Sequence, residues 1–426
     1  MAGRCLVVTY YFPPIGGAGV QRVTKLIKYL SRDGWKFTVV TAREYGSFQP
    51  EDDSQLAELP EDIKIIFVDS ELPLSGKINL KKVPFFNRSS YWKRWLGAWI
   101  AVPDIRKKWI SIAQKVILNE LSKEQYDCIF VTTPPYSLAL LAANLQNLTS
   151  KPVILDLRDP WSIHPYKIHP TLVHYYMNRM MEFKIIKNIK FGTSAYAKLL
   201  DYYQNHIPGF NTDHWTFIPN GYDGEDFKGL SKIKLENGRF HIGYSGSIHS
   251  KINNPQILFK IIADLKKCKP EYIEQIYFHH VGKSQIDLQK ISKKYGLEKQ
   301  VKIWGYHPHV KALEILSAMD SFLLLHDDKF KYSEYIVAGK TYEYLRFQKP
   351  ILGLVPENGE AAELIRKCNS GVVISPHNKR RIQSVLLDWI QNRPNFQFED
   401  IELYNREKQA SQFSQVFEKA ISSNNM

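Results

Sequence analysis

Cysteine is scarce in this chain, with four in 426 residues, and they stand far apart at Cys5, Cys128, Cys268 and Cys368. No CxxC pair occurs and no cysteine clusters with histidine, which argues against both a zinc framework and a disulfide-stapled fold. A reducing compartment is therefore expected. Apolar runs are short as well: none approaches the ~18 residues that span a bilayer. The opening "MAGRCLVVTYYF" reads as a first strand rather than a signal peptide. These absences lead to the expectation of a cytoplasmic protein, at most peripheral on the inner face of the cytoplasmic membrane. Repeats and low-complexity tracts are missing too, which excludes fibrous and repetitive architectures.

What is present suits a globular enzyme. Hydrophobic residues at 44% and aromatics at 13% suffice for packed cores, and a length of 426 favours two or three domains over one. The formal charge of +14 points to an anionic partner: nucleic acid, anionic lipid or a phosphorylated substrate. Its densest cluster is "KKVPFFNRSSYWKRWLGAWIAVPDIRKKW", residues 81–109, where Trp92, Trp95 and Trp99 share a helical face beside Lys93 and Arg94. Basic charge next to an aromatic face suits the headgroup region of an anionic membrane. The rival is a helix packed on the core with a solvated edge. Nucleic acid is not expected, because no binding motif accompanies the patch.

Strand and helix signals alternate through the first half. Strands are expected at 4–11, 35–42, 62–69, 127–133 and 152–159, with helices at 19–32, about 106–122, after "PPYS" and about 171–187. The pattern pauses at "FIPNGYDGEDF" and restarts, with strands at 240–247, 276–282, 301–306, 321–327, 349–355 and 371–375. Residues 384–426 read as helix throughout. Strands joined by crossover helices imply parallel, doubly wound sheets. The expected fold is α/β, with two Rossmann-like domains, 1–218 and 219–385, facing across a cleft, and C-terminal helices over 386–426 packing back toward the first domain. Parallel sheets bind ligands at their carboxyl edges, so the glycine turns after Tyr10 and Tyr244 should both face the cleft, as expected of a two-substrate enzyme.

A dinucleotide site requires G-x-G-x-x-G and an acidic residue closing the second strand. Here Gly17-Ala18-Gly19-Val20-Gln21 is followed by Arg22, and Thr41, Ala42 and Arg43 stand where the ribose-binding carboxylate belongs. NAD is disfavoured. Gly16 and Gly17 still allow backbone N–H groups and a helix start to approach a diphosphate.

Seven segments stand in a telling order: "YYFPPIGGAGVQR", "TTPPYS" with "LDLRDPW", "IPNGYDGEDF", "GYSGS", "VKIWGYHPHVKALEILSAMDSFLLL" and "GKTYEYLRFQKPILG". In that order the chain resembles the GT-B-fold glycosyltransferases of family 4, the retaining group with many bacterial surface-polysaccharide and glycolipid enzymes. The resemblance covers nearly the whole chain and implies roles for particular positions. Glu343 would bind the nucleotide's ribose hydroxyls, with Lys340 and Thr341 at the helix start facing the diphosphate. The family pairs two glutamates eight apart; here Tyr335 holds the first place and Glu334 stands one residue off. In "GYSGSIHSK", Ser245, Gly246 and Ser247 form the turn, Ser247 stands where an arginine is usual, and Lys251 would supply the cation that offsets leaving-group charge. Gly305 and Tyr306 would hold the base, and Asn220 belongs to the linker side of the donor site.

Tyr136, Asp156, Arg158, Asp159, Trp161 and His164 would lie on the acceptor side, the rival for the charged residues being a buried ion pair that holds a loop. By the resemblance Asp159, Lys251 and Glu343 are the catalytic candidates. No convincing D-x-D is present, since Asp327 and Asp328 are adjacent, and His307 and His309 lack acidic partners in the sequence, so no metal and no other cofactor is expected. The implied activity is metal-independent hexosyl transfer with retention, from a UDP- or GDP-linked sugar to a glycan or lipid-linked acceptor, with closure about the linker joining the substrates. The alternatives are a sugar-nucleotide 2-epimerase and a non-catalytic subunit of a membrane-associated glycosyltransferase.

Overall fold

The computed structural model describes residues 3–15, 18–43, 55–69, 95, 98–99, 101–250 and 252–424. Its chain divides into two compact units: 1–221 with 405–426, and 222–404.

The first unit is built on seven parallel strands: β1 (Arg4–Val8), β2 (Lys36–Arg43), β3 (Lys64–Asp69), β4 (Cys128–Thr133), β5 (Val153–Leu157), β6 (Phe191–Ser194) and β7 (Trp215–Phe217). Their order is β3-β2-β1-β4-β5-β6-β7. The described helices of this unit are α1 (Ala18–Arg32), α2 (Lys107–Lys123), α3 (Ser137–Leu148), α4 (Leu172–Asn188) and α5 (Ala197–His206). β1 and β4 are buried along almost their whole length, as strands covered on both faces must be.

The second unit has six parallel strands: β8 (Phe240–Ser245), β9 (Ile276–Val281), β10 (Val301–Gly305), β11 (Ser321–Leu325), β12 (Ile351–Leu354) and β13 (Gly371–Ile374). They are ordered β10-β9-β8-β11-β12-β13. Its helices are α6 (Gln256–Cys268), α7 (Pro270–Ile273), α8 (Leu288–Lys294), α9 (His309–Ser317), α10 (Lys340–Phe347), α11 (Glu360–Lys367) and α12 (Lys379–Asn392). In both sheets the strand order reverses beside the first strand, between β1 and β4 and between β8 and β11. Such a switch point opens a crevice at the carboxyl edge, where ligands bind.

The units divide three residues after the expected 218/219 boundary, and the last expected segment is split. Residues 384–426 are not one helix: α12 ends at Asn392, Arg393 adopts a positive φ of 50°, and Pro394 follows. Proline lacks the N–H and the backbone freedom to continue a helix. The segment stays outside α-helix until α13 (Arg406–Asn424). That helix joins the first unit because Ala410, Phe413, Val416, Phe417 and Ala420 form one buried stripe. Phe417 lies 5.4 Å from Trp35, and Phe413 lies 5.7 Å from Phe130, both edge-on.

Several strands are shorter than their apolar runs suggest. The run 4–11 leaves the ladder at Val8, yet Tyr10 and Phe12 stay buried. Burial outlasts strand pairing at the carboxyl edge, where the chain turns to build a site.

Candidate active site

At the carboxyl edge of the second sheet, three glycines turn the chain with left-handed backbone: Gly246 (φ 87°), Gly282 (φ 146°) and Gly305 (φ 78°). The Gly282 N–H donates to the Gly305 carbonyl at 2.7 Å, and the Gly246 N–H to the Val281 carbonyl at 2.8 Å. A Cβ on Gly282 would run into the Gly246 carbonyl, so the close approach itself requires glycine. His280 donates from Nε2 to that same carbonyl at 2.9 Å. Burial pulls the His280 pKa down to about 4, with nearby Lys340 acting the same way, so the ring is neutral near pH 7.

Against this turn stands the start of α10. Lys340 Nζ lies 3.7 Å from the centre of the Tyr244 ring, and a Cβ on Gly246 would meet it at 3.3 Å. The ammonium is shielded from water and has no hydrogen-bond partner among the described residues; Thr341 Oγ1 beside it is also unsatisfied. Burial pulls the Lys340 pKa down to about 7, against the opposing charge of Glu343. Tyr344, on the same helix, accepts from the Ser245 N–H at 2.8 Å and stacks on Phe322 at 4.2 Å, which fixes α10 to β8 and β11. Glu343 is half-buried, with its Oε1 3.9 Å from His309 Nδ1, while His309 Nε2 is 3.3 Å from Asp226 Oδ2. Tyr306, 47% exposed, lies open at the end of β10, with Lys283 Nζ 5.1 Å above its ring.

Ser245, Gly246, Gly305, Tyr306, Lys340, Thr341 and Glu343 thus belong to one sheet edge and the helix facing it. Ser247 is exposed in the turn, its carbonyl accepting from Asn253 at 2.9 Å. Gly16, Gly17 and Lys251 lie outside the described residues. Asn220 belongs to the first unit, where its carbonyl accepts from Gln409 at 3.1 Å. His309 was not expected beside Glu343; its partners Asp226 and Glu343 are distant in sequence, so spacing carries no signal.

Asp327, Asp328 and His377 form a cluster of metal-ligand type at the ends of β11 and β13. Within it His377 Nε2 and Asp328 Oδ1 are 2.8 Å apart, forming an ion pair when the ring is protonated. A further cluster satisfies itself: His241 Nδ1 and His279 Nε2 are 2.9 Å apart, and Trp304 donates to His279 Nδ1 at 3.1 Å.

At the carboxyl edge of the first sheet the expected acceptor residues separate into two groups. Asp156 is fully buried, and its carboxylate accepts from Arg22 (2.9 and 3.2 Å), Thr132 (2.7 Å) and Thr193 (2.7 Å). Arg22 also donates to the carbonyls of Ile218 and Pro219, both at 2.8 Å. Burial opposes ionisation of Asp156, but the Arg22 charge and these hydrogen bonds hold its pKa below the usual range. Arg158 spends its guanidinium on the carbonyls of Thr133 (2.8 Å), Pro134 (2.9 Å) and Gly19, tying the start of α1 to the end of β4. Trp161 is 1% exposed and donates to Asn178 at 3.0 Å. Asp156, Arg158 and Trp161, expected on the acceptor side, are buried with their polar groups paired, and they shape the edge from behind.

Asp159, Tyr136 and His164 remain half-open there. Burial raises the Asp159 pKa to about 6, partly offset by Arg158 and by the Tyr196 hydroxyl at 3.4 Å. Tyr136 stacks on Trp161 (5.7 Å, 8°) and donates to the Pro160 carbonyl at 2.6 Å. Burial lowers His164 to about 4. Lys167, which no motif marked, lies 4.5 Å from the Tyr136 ring centre and donates to Asn178 Oδ1 at 2.7 Å. Burial draws its pKa down to about 7. Glu182 anchors the loop from below, accepting from Ser162 and from the Tyr203 hydroxyl at 2.7 Å.

Of the expected membrane residues, Trp92, Lys93 and Arg94 lie outside the described residues. Trp95 and Trp99 pack edge-on at 5.4 Å, and Trp99 is 43% exposed. Among the described residues no helix is long and apolar enough to cross a membrane.

No protein-family model matches the chain, and no curated protein does. Solved structures do. Sucrose-phosphate synthase from Thermosynechococcus elongatus is similar with a TM-score of 0.67 at 12% identity, covering 99% of this chain and 100% of that one. Anabaena HepE in complex with UDP gives 0.57 at 15%, over 99% and 97%. WaaG, a glycosyltransferase involved in lipopolysaccharide biosynthesis, gives 0.52 at 13%, over 98% of each chain. What these likenesses share with the two switch-point sheets is architecture: the chain has the GT-B fold of glycosyltransferases.

Proposed function

We propose that the protein transfers a hexose, with retention and without a metal, from a nucleoside-diphosphate sugar to a glycan or lipid-linked acceptor in cell-surface polysaccharide or glycolipid assembly. The observation that carries this reading is Lys340: a buried ammonium with no hydrogen-bond partner among the described residues, beside a glycine turn at a switch point. An unpaired buried cation is costly, and a diphosphate placed there would offset that cost. Glu343 would accept from the ribose hydroxyls, and Tyr306 would lie along the base. The UDP held by Anabaena HepE supports a uridine nucleotide, with GDP as the rival base.

In the reaction the bond from the anomeric carbon to the diphosphate oxygen breaks and the electron pair leaves with the diphosphate. Lys340 and the first N–H groups of α10 stabilise that charge. The acceptor hydroxyl attacks the same face, giving its proton to the departing phosphate oxygen. Asp159, ionised above pH 6 or so, would accept a hydrogen bond from the acceptor and orient it.

The test is a transfer assay with UDP- and GDP-sugars and polyprenyl-linked or glycan acceptors, with EDTA present and product configuration read by NMR. Release of free nucleotide with a product of retained configuration is expected, and Glu343→Ala should abolish it. Conversion of the donor without acceptor would instead mark a 2-epimerase; no turnover with any donor would mark a non-catalytic subunit.

A further inference from the structure

Helix α4 has two faces with opposite tasks. Its inner face holds the acceptor loop: Asn178 receives Trp161 and Lys167, and Glu182 receives Ser162. Its outer face is apolar and in water: Leu172 is 75% exposed, Val173 64%, Tyr176 55%, Met177 47% and Met180 71%. At about 100° per residue these five fall within an arc of roughly 140°, opposite the buried Asn178, Glu182, Ile185 and Ile186. So many large exposed side chains in one patch mark an interaction surface.

We propose that this outer face docks on an anionic lipid bilayer, so that the acceptor is a sugar carried by a lipid in that membrane. The inference rests on the transferase reading above and specifies its acceptor. Three observations favour a bilayer. The same arc continues into exposed Lys184 and Lys187, with Lys190 just beyond, whereas the one acidic residue of α4, Glu182, is buried on the inner face. Cations at the end of an apolar helical face match acidic headgroups, and in a self-paired dimer they would repel. The patch is also continuous with an exposed tryptophan: the Trp99 ring lies 4.9 Å from His174, and His174 Nε2 is 3.3 Å from the Trp99 carbonyl. Finally, one helix joins the two surfaces, so docking its outer face sets the loop of Asp159, His164 and Lys167 at the membrane that carries the substrate.

The experiment is flotation of the full chain with phosphatidylcholine vesicles, with and without phosphatidylglycerol, in the absence of nucleotide. The protein should float with the anionic vesicles. Val173→Asp with Met180→Asp should weaken binding by about tenfold or more while melting temperature and nucleotide-sugar binding stay unchanged. Lys184→Glu with Lys187→Glu should also weaken it and flatten its salt dependence. Wild-type protein that stays down with both vesicles, or an aspartate variant that floats as well as wild type, would overturn the proposal. So would a wild-type dimer without flotation that the aspartate pair dissociates, which would give the face to a second copy. Flotation needs no donor, so its failure leaves the transfer reading standing, and a failed transfer assay leaves flotation intact.

Discussion

Lys340 Nζ sits 3.7 Å above the Tyr244 ring, a cation held by an aromatic face at the edge of a glycine turn. The ring supplies part of the stabilisation that water would otherwise give. Burial still leaves the pKa at about 7, far under the usual 10.5.

That depression has a sign. Between about pH 7 and 10.5 the unfolded chain holds a proton that the folded chain has lost, so this group's contribution to stability improves as pH rises through that window. Donor affinity should run the other way, because an anion wants the ammonium. Affinity for a nucleotide sugar, whose diphosphate has no group titrating here, should fall up to about tenfold per unit above pH 7. Calorimetric titrations between pH 6 and 9 check this; a flat profile would remove Lys340 from the donor site.

Gly246→Ala should harm both fold and site. Its positive φ of 87° costs an alanine about 1–2 kcal/mol, and the new methyl would press on Lys340 Nζ. Lower urea resistance with weaker nucleotide binding is expected. Gly229→Ala, also at positive φ (70°) but with nothing within 4 Å, should show only the loss of stability.

Asp159 should govern the acid side of the rate profile. With its pKa raised to about 6 by burial, kcat/KM for the acceptor should climb as pH passes through about 6. Asp159→Asn should lower activity by about 100-fold and abolish that climb, while donor binding is untouched.

Much of this architecture is legible in the amino-acid order, because strands such as "DCIFVTT" hold an apolar run, Cys128 to Val131, and are followed by turn residues. The carboxyl edge of the second sheet is legible too: "GYSGS" and "GKTYEYL" each stand at an element boundary. The carboxyl edge of the first sheet is not. Arg22 and Asp156 meet across 134 positions, so neither declares its partner, and the aspartate reads as available when it is saturated. Glu182 and Lys167 act through neighbours that only the fold assembles. The 384–426 segment misled because helical composition continues on both sides of Pro394.

The Arg22–Asp156 pair should behave as architecture. Arg22→Met would leave a buried carboxylate unpaired, at a cost of about 3–5 kcal/mol. Because Asp156 is held below its usual pKa, the stability it supplies is present at neutral pH and lost in acid, as pH falls below the ordinary carboxylate range. Urea unfolding of wild type and variant at pH 7 and at about pH 3, below the ordinary carboxylate range, should show a gap that narrows in acid.

The central claim is that Lys340 receives the donor's diphosphate. Calorimetric titration of UDP and GDP into wild type and Lys340→Met at pH 7, with EDTA present, tests it most directly. Saturable binding of one nucleotide to the wild type, unaffected by EDTA, is expected, with a loss of roughly 10- to 100-fold in the variant. Equal binding by both proteins, or none by the wild type, would contradict it.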